Sequence, residues 1–222
     1  MCQQILSDVQ HAKAGDVIVC MQPLHYKHAT HNTAVTTTRV THKHAVADNL
    51  LKQNFTMNRA NQAWVGDITY IRIGRHQWMY LAVVIDLYSR KVIGWSMNKR
   101  MTADLVCNAL LMALKARGNP KHVIVHTDRG SQYCSYRYQQ LLQQYQLRGS
   151  MSAKGNCYDN AVCESFFHTL KNEQVYRFYY ENHKQARQSI FEYIEAYYNR
   201  IRRHSSLNYQ SPINFEKLAM NS

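Results

Sequence analysis

No CxxC pair occurs among the six cysteines of this 222-residue chain, Cys2, Cys20, Cys107, Cys134, Cys157 and Cys163. That spacing speaks against a disulfide framework and is read as reduced thiols. Of the twelve histidines, His25, His28 and His31 are evenly placed, with His42 and His44 downstream. A structural zinc site would want a Cys pair at short spacing beside them, so solvated histidine is the preferred reading. No run approaches the ~18 apolar residues of a membrane span. The opening MCQQILSDVQHAK lacks the apolar stretch of a secretory signal, and a cytoplasmic location is expected. With neither GxGxxG nor GxxxxGKS/T present, nothing recommends a nucleotide phosphate cradle. Acidic residues are scarce: 14 Asp and Glu face 27 Lys and Arg, for a net charge of +13. The cations are spread along the chain, which points to a polyanionic partner, most often nucleic acid.

What is present is enough for a core, since 45% of residues are hydrophobic. The length suits one domain with extra segments, or two small ones. Residues 1–58 read as a poorly defined N-terminal arm or linker: a helix to about Ala14, a short strand over 14–21, a His/Thr-rich arm from Pro23 to Ala47, then a helical turn near 47–55. Residues 59–180 read as the main domain, with 181–222 a basic helix and tail of the same region. WVGDITYIRI (64–73), QWMYLAVVIDL (77–87) and VIGWSM (92–97) read as an antiparallel meander. Helices follow at 102–118 and 135–147, with short strands at 122–128 and 147–151. A turn at Gly155 and Asn156 leads into a helix capped by Asp159 or Asn160, with Val162, Cys163, Phe166 and Leu170 inward. A long helix over about 182–203 and a turn-rich tail carrying Pro212 close the chain. This order predicts an α/β fold with a mixed five-stranded sheet, an antiparallel meander plus parallel strands, flanked by helices.

Three carboxylates stand out. Asp67 interrupts an apolar strand, Asp128 ends the fourth strand, and Glu164 lies on the polar side of the later helix with His168 and Lys171. A carboxylate inside a strand is costly unless paired or bound to a cation, and three together repel. Oxygen donors of this kind suit Mg²⁺ or Mn²⁺, and two such ions promote attack on a phosphodiester. The competing reading is an N-cap, a turn residue and a surface glutamate.

Five stretches carry a resemblance: NQAWVGDITYI (61–71), YLAVVIDLYSRKVIGW (80–95), HTDRGSQY (126–133), GNCYDNAVCESFFHTLK (155–171) and YNRIRRHSSLNYQSPINF (198–215). In order, over roughly residues 36–217, they resemble the second reading frame of insertion-sequence-three transposases, with a core similar to retroviral integrase. The resemblance implies a ribonuclease H-like fold. It also implies a catalytic Asp, Asp, Glu triad whose last two members stand 35 residues apart, as Asp128 and Glu164 do. By that likeness Asp67, Asp128 and Glu164 are catalytic and hold two Mg²⁺ or Mn²⁺ ions. The implied activity is cleavage at the element ends, then strand transfer by 3′-hydroxyl attack. Lys171, His168 and Arg129 are candidate DNA contacts; Arg129 could instead pair with a carboxylate and compete with metal. Arg200, Arg202 and Arg203, with His204, form a basic helix end suited to phosphate. Asp86 falls outside the triad and reads as a turn partner for Ser89 or Arg90. Trp64, Gly130, Gln132, Asn156, Tyr158 and Asn160 read as architectural or supporting. The implied partners are the terminal inverted repeats, target DNA, a first-frame helix-turn-helix product or fusion, and further copies of the chain, in a nucleoid-associated setting without a membrane. A catalytically silent DNA-binding remnant is the alternative.

Overall fold

The computed structural model describes residues 46–152 and 160–220, all within one compact unit that starts at Val40. The expectations for residues before 46, including the histidine series, fall outside the described residues, as do Gly155, Asn156, Tyr158 and Asp159. Three strands form the meander, β1 (Ala63–Ile73), β2 (Gln77–Asp86) and β3 (Val92–Asn98). Helix α1 (Ala103–Ala116), β4 (Ile124–Thr127), α2 (Tyr136–Gln144), β5 (Arg148–Met151) and α3 (Ala161–Glu173) follow. The sheet runs β3-β2-β1-β4-β5. The meander pairs are antiparallel, while β1–β4 and β4–β5 are parallel.

Strand alternation explains the two cores. Ala63, Val65, Ile71 and Ile73 of β1 face one apolar layer with Cys163, Phe166, Phe167 and Leu170 of α3. Trp64 faces the other, with Leu105, Ala109 and Leu110 of α1 and Tyr138 of α2. β2 is buried on both sides, Leu81, Val83 and Ile85 toward the first layer and Ala82 and Val84 toward the second. Hence its near-continuous apolar run. Helix α1 lies unusually close to β3 at Gly94, where a Cβ would stand 2.2 Å from the Ala109 carbonyl oxygen. It stops at Gly118, whose φ of +71° is open to glycine. Ser135 starts α2 by accepting from Tyr138 N.

Three expectations change. Residues 47–55 form bends and turns rather than a helical turn, although Leu51 is buried in the core. The helix expected over 182–203 is α4 (His183–Phe191) followed by a widened π-helical stretch, Glu192–Tyr198. There Asn199 N reaches back to Ile194 O and Arg202 N to Tyr197 O. The extra residue per turn turns Tyr193, Ile194 and Tyr198 inward and leaves Tyr197 and Ile201 exposed. The tail carries a helix, α5 (Pro212–Met220), with Pro212 at its first position, where a missing N–H costs nothing.

Glu216 of α5 explains that helix. Its carboxylate accepts from Ser89 Oγ at 2.7 Å and from Lys91 Nζ at 3.2 Å, and also pairs with Arg117. Arg117 in turn meets fully buried Asp86 at 3.3 Å. The Asp86 carboxylate also accepts the N–H groups of Asn61 and Tyr88. Asp86 is therefore an ion-pair anchor: its backbone oxygen takes the Arg90 N–H, while its carboxylate serves Arg117.

Candidate active site

Asp67 sits on the central strand at an odd position, so its side chain points to the layer that α3 covers. β1 and β4 run in register through Val65 opposite His126. Two residues beyond the last pair on each strand stand Asp67 and Asp128, and the Asp128 charge is felt at the Asp67 carboxylate. Asp128 directly follows β4, at the carboxyl edge of a parallel pair where ligand crevices form. Glu164 lies exposed in the first turn of α3.

The charges register this grouping. Asp67 is half-buried, and its pKa rises to about 7. Burial is the main cause, opposed by the Ile68 N–H at 2.7 Å and reinforced by the negative charges of Asp128 and Glu164. The Asp128 side chain reaches solvent on one side, yet lost solvation on the other raises its pKa against the Gly130 N–H. Tyr133 and Cys163 are buried around the acidic group, and both hydrogens are held firmly, by burial and then by Asp67 and its neighbours. Tyr133 closes the HTDRGSQY stretch, but its pattern alone does not reveal that it packs near the carboxylates.

These oxygen donors fit a hard divalent cation, which would offset their mutual repulsion. Among the described residues no three His, Cys, Asp or Glu side chains already form a cage for an ion. The Asp pair is set by the sheet, whereas Glu164 belongs to a separate element.

The remaining candidates are distributed. Lys171, half-buried, places Nζ 4.6 Å from the centroid of the Tyr70 ring, a cation–π contact, and burial lowers its pKa. It lies seven residues beyond Glu164, about 10 Å along the helix. His168 is exposed and bonded to Asn172. Arg129 donates through Nε to Ser152 O at 2.8 Å, and no ion pair found among the described residues joins it to a carboxylate. Arg202 is paired with Glu173 at 2.8 Å. Arg200, exposed, bonds Glu195 O, and Arg203 is exposed beside it in sequence. Asn160 precedes α3 without a side-chain cap.

Sequence relationships decide the lineage. The family described as integrase core domain matches residues 57–157, and a second family of the same description matches residues 145–212. Transposase InsF for insertion sequence IS3A of Escherichia coli is 57% identical over 171 residues, covering 77% of this chain and 59% of that protein. The chain belongs to the integrase core family, in the branch of the insertion-sequence-three transposases. An uncharacterized 31 kDa protein of insertion element IS600 from Shigella sonnei is 46% identical over 181 residues, 82% of this chain and 66% of that one. The chain thus spans about three-fifths of the length of the curated InsF relatives. Two solved structures share the fold. One is a chain of the simian T-cell lymphotropic virus intasome, at a TM-score of 0.60 and 20% identity, covering 78% of this chain and 59% of that one. The other is the HTLV-2 integrase catalytic core domain solved with magnesium, at 0.54 and 19%, covering 70% of this chain and 96% of that one. The architecture is accordingly the expected ribonuclease H-like sheet. The silent-remnant alternative draws no support from these relatives. No helix among the described residues is long and apolar enough to cross a membrane.

Proposed function

We propose that this chain is the catalytic part of a DNA transposase that cleaves insertion-sequence ends and transfers the 3′-hydroxyl end to a new phosphodiester. The observation that carries the reading is Asp67, held on the α3 side of the central strand with a pKa raised to about 7 by burial and by Asp128 and Glu164. Such a carboxylate is expensive to keep ionised without a cation, and a DNA-processing site needs one. Asp67 and Asp128 would hold Mg²⁺ or Mn²⁺, with Glu164 as the third ligand. When bound, the metal supplies a polarised nucleophile and charge neutralisation at the leaving oxygen.

The chain's own residues do the rest. Gly130 N–H orients Asp128, the Ile68 N–H orients Asp67, and buried Tyr133 and Cys163 limit water behind them. Lys171, His168, Arg129, Arg200 and Arg203 are proposed to meet DNA. Arg202, already paired with Glu173, acts more through holding α3 to the segment after the π-helical stretch. The reading carries a cytoplasmic, nucleoid-associated location, a first-frame helix-turn-helix partner or fusion for end recognition, and assembly of several copies to hold two ends.

Strand transfer from a pre-nicked element-end duplex in Mn²⁺ tests this, with Glu164→Gln alongside. Joined product that vanishes in the variant is expected. Product that persists in Glu164→Gln, or none from the parent even with the first-frame protein added, would sink the reading.

A further inference from the structure

A second cleft, of about 540 Å³, opens between α3 and the segment 202–209. Arg90, Arg202 and Arg203 line it, together with His204, and among the described residues no carboxylate does. Arg202 is offset by Glu173, whereas Arg90 and Arg203 form no ion pair among the described residues. Two nitrogen atoms here are shut off from solvent without any hydrogen-bond partner, Arg90 Nη1 and His204 Nε2. Buried polar atoms are almost always satisfied, and both of these can donate. Ala161 and Val162, the first residues of the 13-residue α3, reach the same cleft, and Asn160 supplies no side-chain cap for their end of the helix. The positive end of a helix dipole favours an anion.

The Arg90 backbone is built for this place. Its φ is +59°, an uncommon conformation for arginine. It is pinned from two sides, by its N–H on Asp86 O at 2.8 Å and by Tyr198 OH donating to its carbonyl at 3.2 Å. The uncommon backbone therefore coincides with a guanidinium nitrogen that has no hydrogen-bond partner.

We infer that this cleft is a phosphate subsite for the DNA backbone, in which Arg90, Arg203, His204 and the start of α3 grip a phosphate on the strand that passes Glu164. The inference rests on the transposase reading and adds a contact outside the acidic group. Glu164 stands in the first turn of the same helix, so a phosphate seated at that helix end would fix the register of the strand relative to the carboxylates. Arg90 lies in the turn between β2 and β3, remote in sequence from the basic helix end.

The test is DNA binding without chemistry: anisotropy of a labelled 20-base-pair duplex, with the full chain in EDTA, titrated against salt. Arg90→Asn keeps a residue tolerant of the left-handed backbone, and Arg203→Ala trims an exposed side chain. Lys115→Ala removes one exposed charge from α1, on the opposite side of the sheet, and is the control. All should melt at the parental temperature. The two cleft variants should each lower the magnitude of the log–log salt slope by about 1 and weaken binding several-fold at 100 mM salt, while Lys115→Ala stays near the parent. Slopes equal to the control in both cleft variants would overturn the subsite and leave the transposase reading intact. No salt-sensitive binding by the parent would overturn both. If inorganic phosphate protects the parent but not Arg203→Ala from thermal unfolding while all DNA slopes agree, the cleft holds a free anion and the DNA assignment fails.

Discussion

The backbone N–H of Gly130 donates to Asp128 Oδ1 at 2.9 Å, and the space a side chain would need at residue 130 is filled by that same carboxylate. A Cβ there would stand 2.9 Å from Asp128 Oδ1 and 3.1 Å from Gln132 Oε1. Gly130→Ala should therefore displace the carboxylate while leaving the fold alone. A misplacement of about 1 Å can cost on the order of 10²-fold in rate. Strand transfer should fall by that order, with circular dichroism and melting temperature close to the parent's. Parental activity in the variant would remove Gly130 from the positioning of Asp128.

Asp67 gives a stability signature of its own. Its folded-state pKa of about 7 lies above the ordinary carboxylate value of 3.8, so the folded state holds a proton that the unfolded chain has lost. The contribution is fully present below about 4 and disappears as pH rises through 7. At 1.36 kcal/mol per unit its upper limit is about 4 kcal/mol. In EDTA, Asp67→Asn should melt several degrees above the parent at pH 8 and close to it at pH 4. Mn²⁺ should raise the parent's melting temperature at pH 8 and leave the variant's unmoved. A variant no more stable than the parent at pH 8 would contradict the burial argument.

Much of this site was legible in the sequence because it depends on strand alternation. Asp67 breaks an apolar run at a position whose neighbours at 65 and 71 face α3, and Asp128 follows a short buried strand. What stayed hidden depends on partners far away in the chain. Helix α5 has exposed Leu218 and little apolar periodicity, and is held instead through Glu216 by Arg117, Ser89 and Lys91, some 99 to 127 residues distant. The π-helical stretch hid for a related reason: Tyr193 and Tyr198 share a face at a spacing of five, which an ordinary helical wheel separates. Arg202 looked like a free phosphate ligand because Glu173, its partner, stands 29 residues earlier.

The Asp86–Arg117–Glu216 cluster predicts an asymmetry between its two cations. Arg117 is 9% exposed and bridges two carboxylates, whereas Lys91 is 26% exposed and meets one. Removing one member of a buried ion pair leaves uncompensated charge, at about 3–5 kcal/mol. A more exposed pair contributes about 0–1 kcal/mol. Urea unfolding should place Arg117→Met 3–5 kcal/mol below the parent by these estimates and Lys91→Met within about 1 kcal/mol of it, with similar denaturant slopes. Equal losses would mean that Glu216, rather than the Arg117 bridge, carries the cluster.

His204 opposes Asp67 over the same acid range. Burial, then the nearby Arg202 charge, lowers its pKa from 6.5 to about 4. The unfolded chain therefore takes up a proton that the folded chain refuses, and stability falls as pH drops from about 6.5 to 4. At 1.36 kcal/mol per unit the limit is about 3 kcal/mol, less for a group with partial solvent access. Asp67 moves the other way across that interval, since its folded-state proton gains value as pH falls. In the parent these two slopes therefore oppose each other from pH 6.5 to 4. His204→Gln should become more stable on acidification, and Asp67→Asn less stable. Urea midpoints at half-unit pH steps would read this directly. If His204→Gln and the parent have parallel profiles, the imidazole is not held neutral by its surroundings.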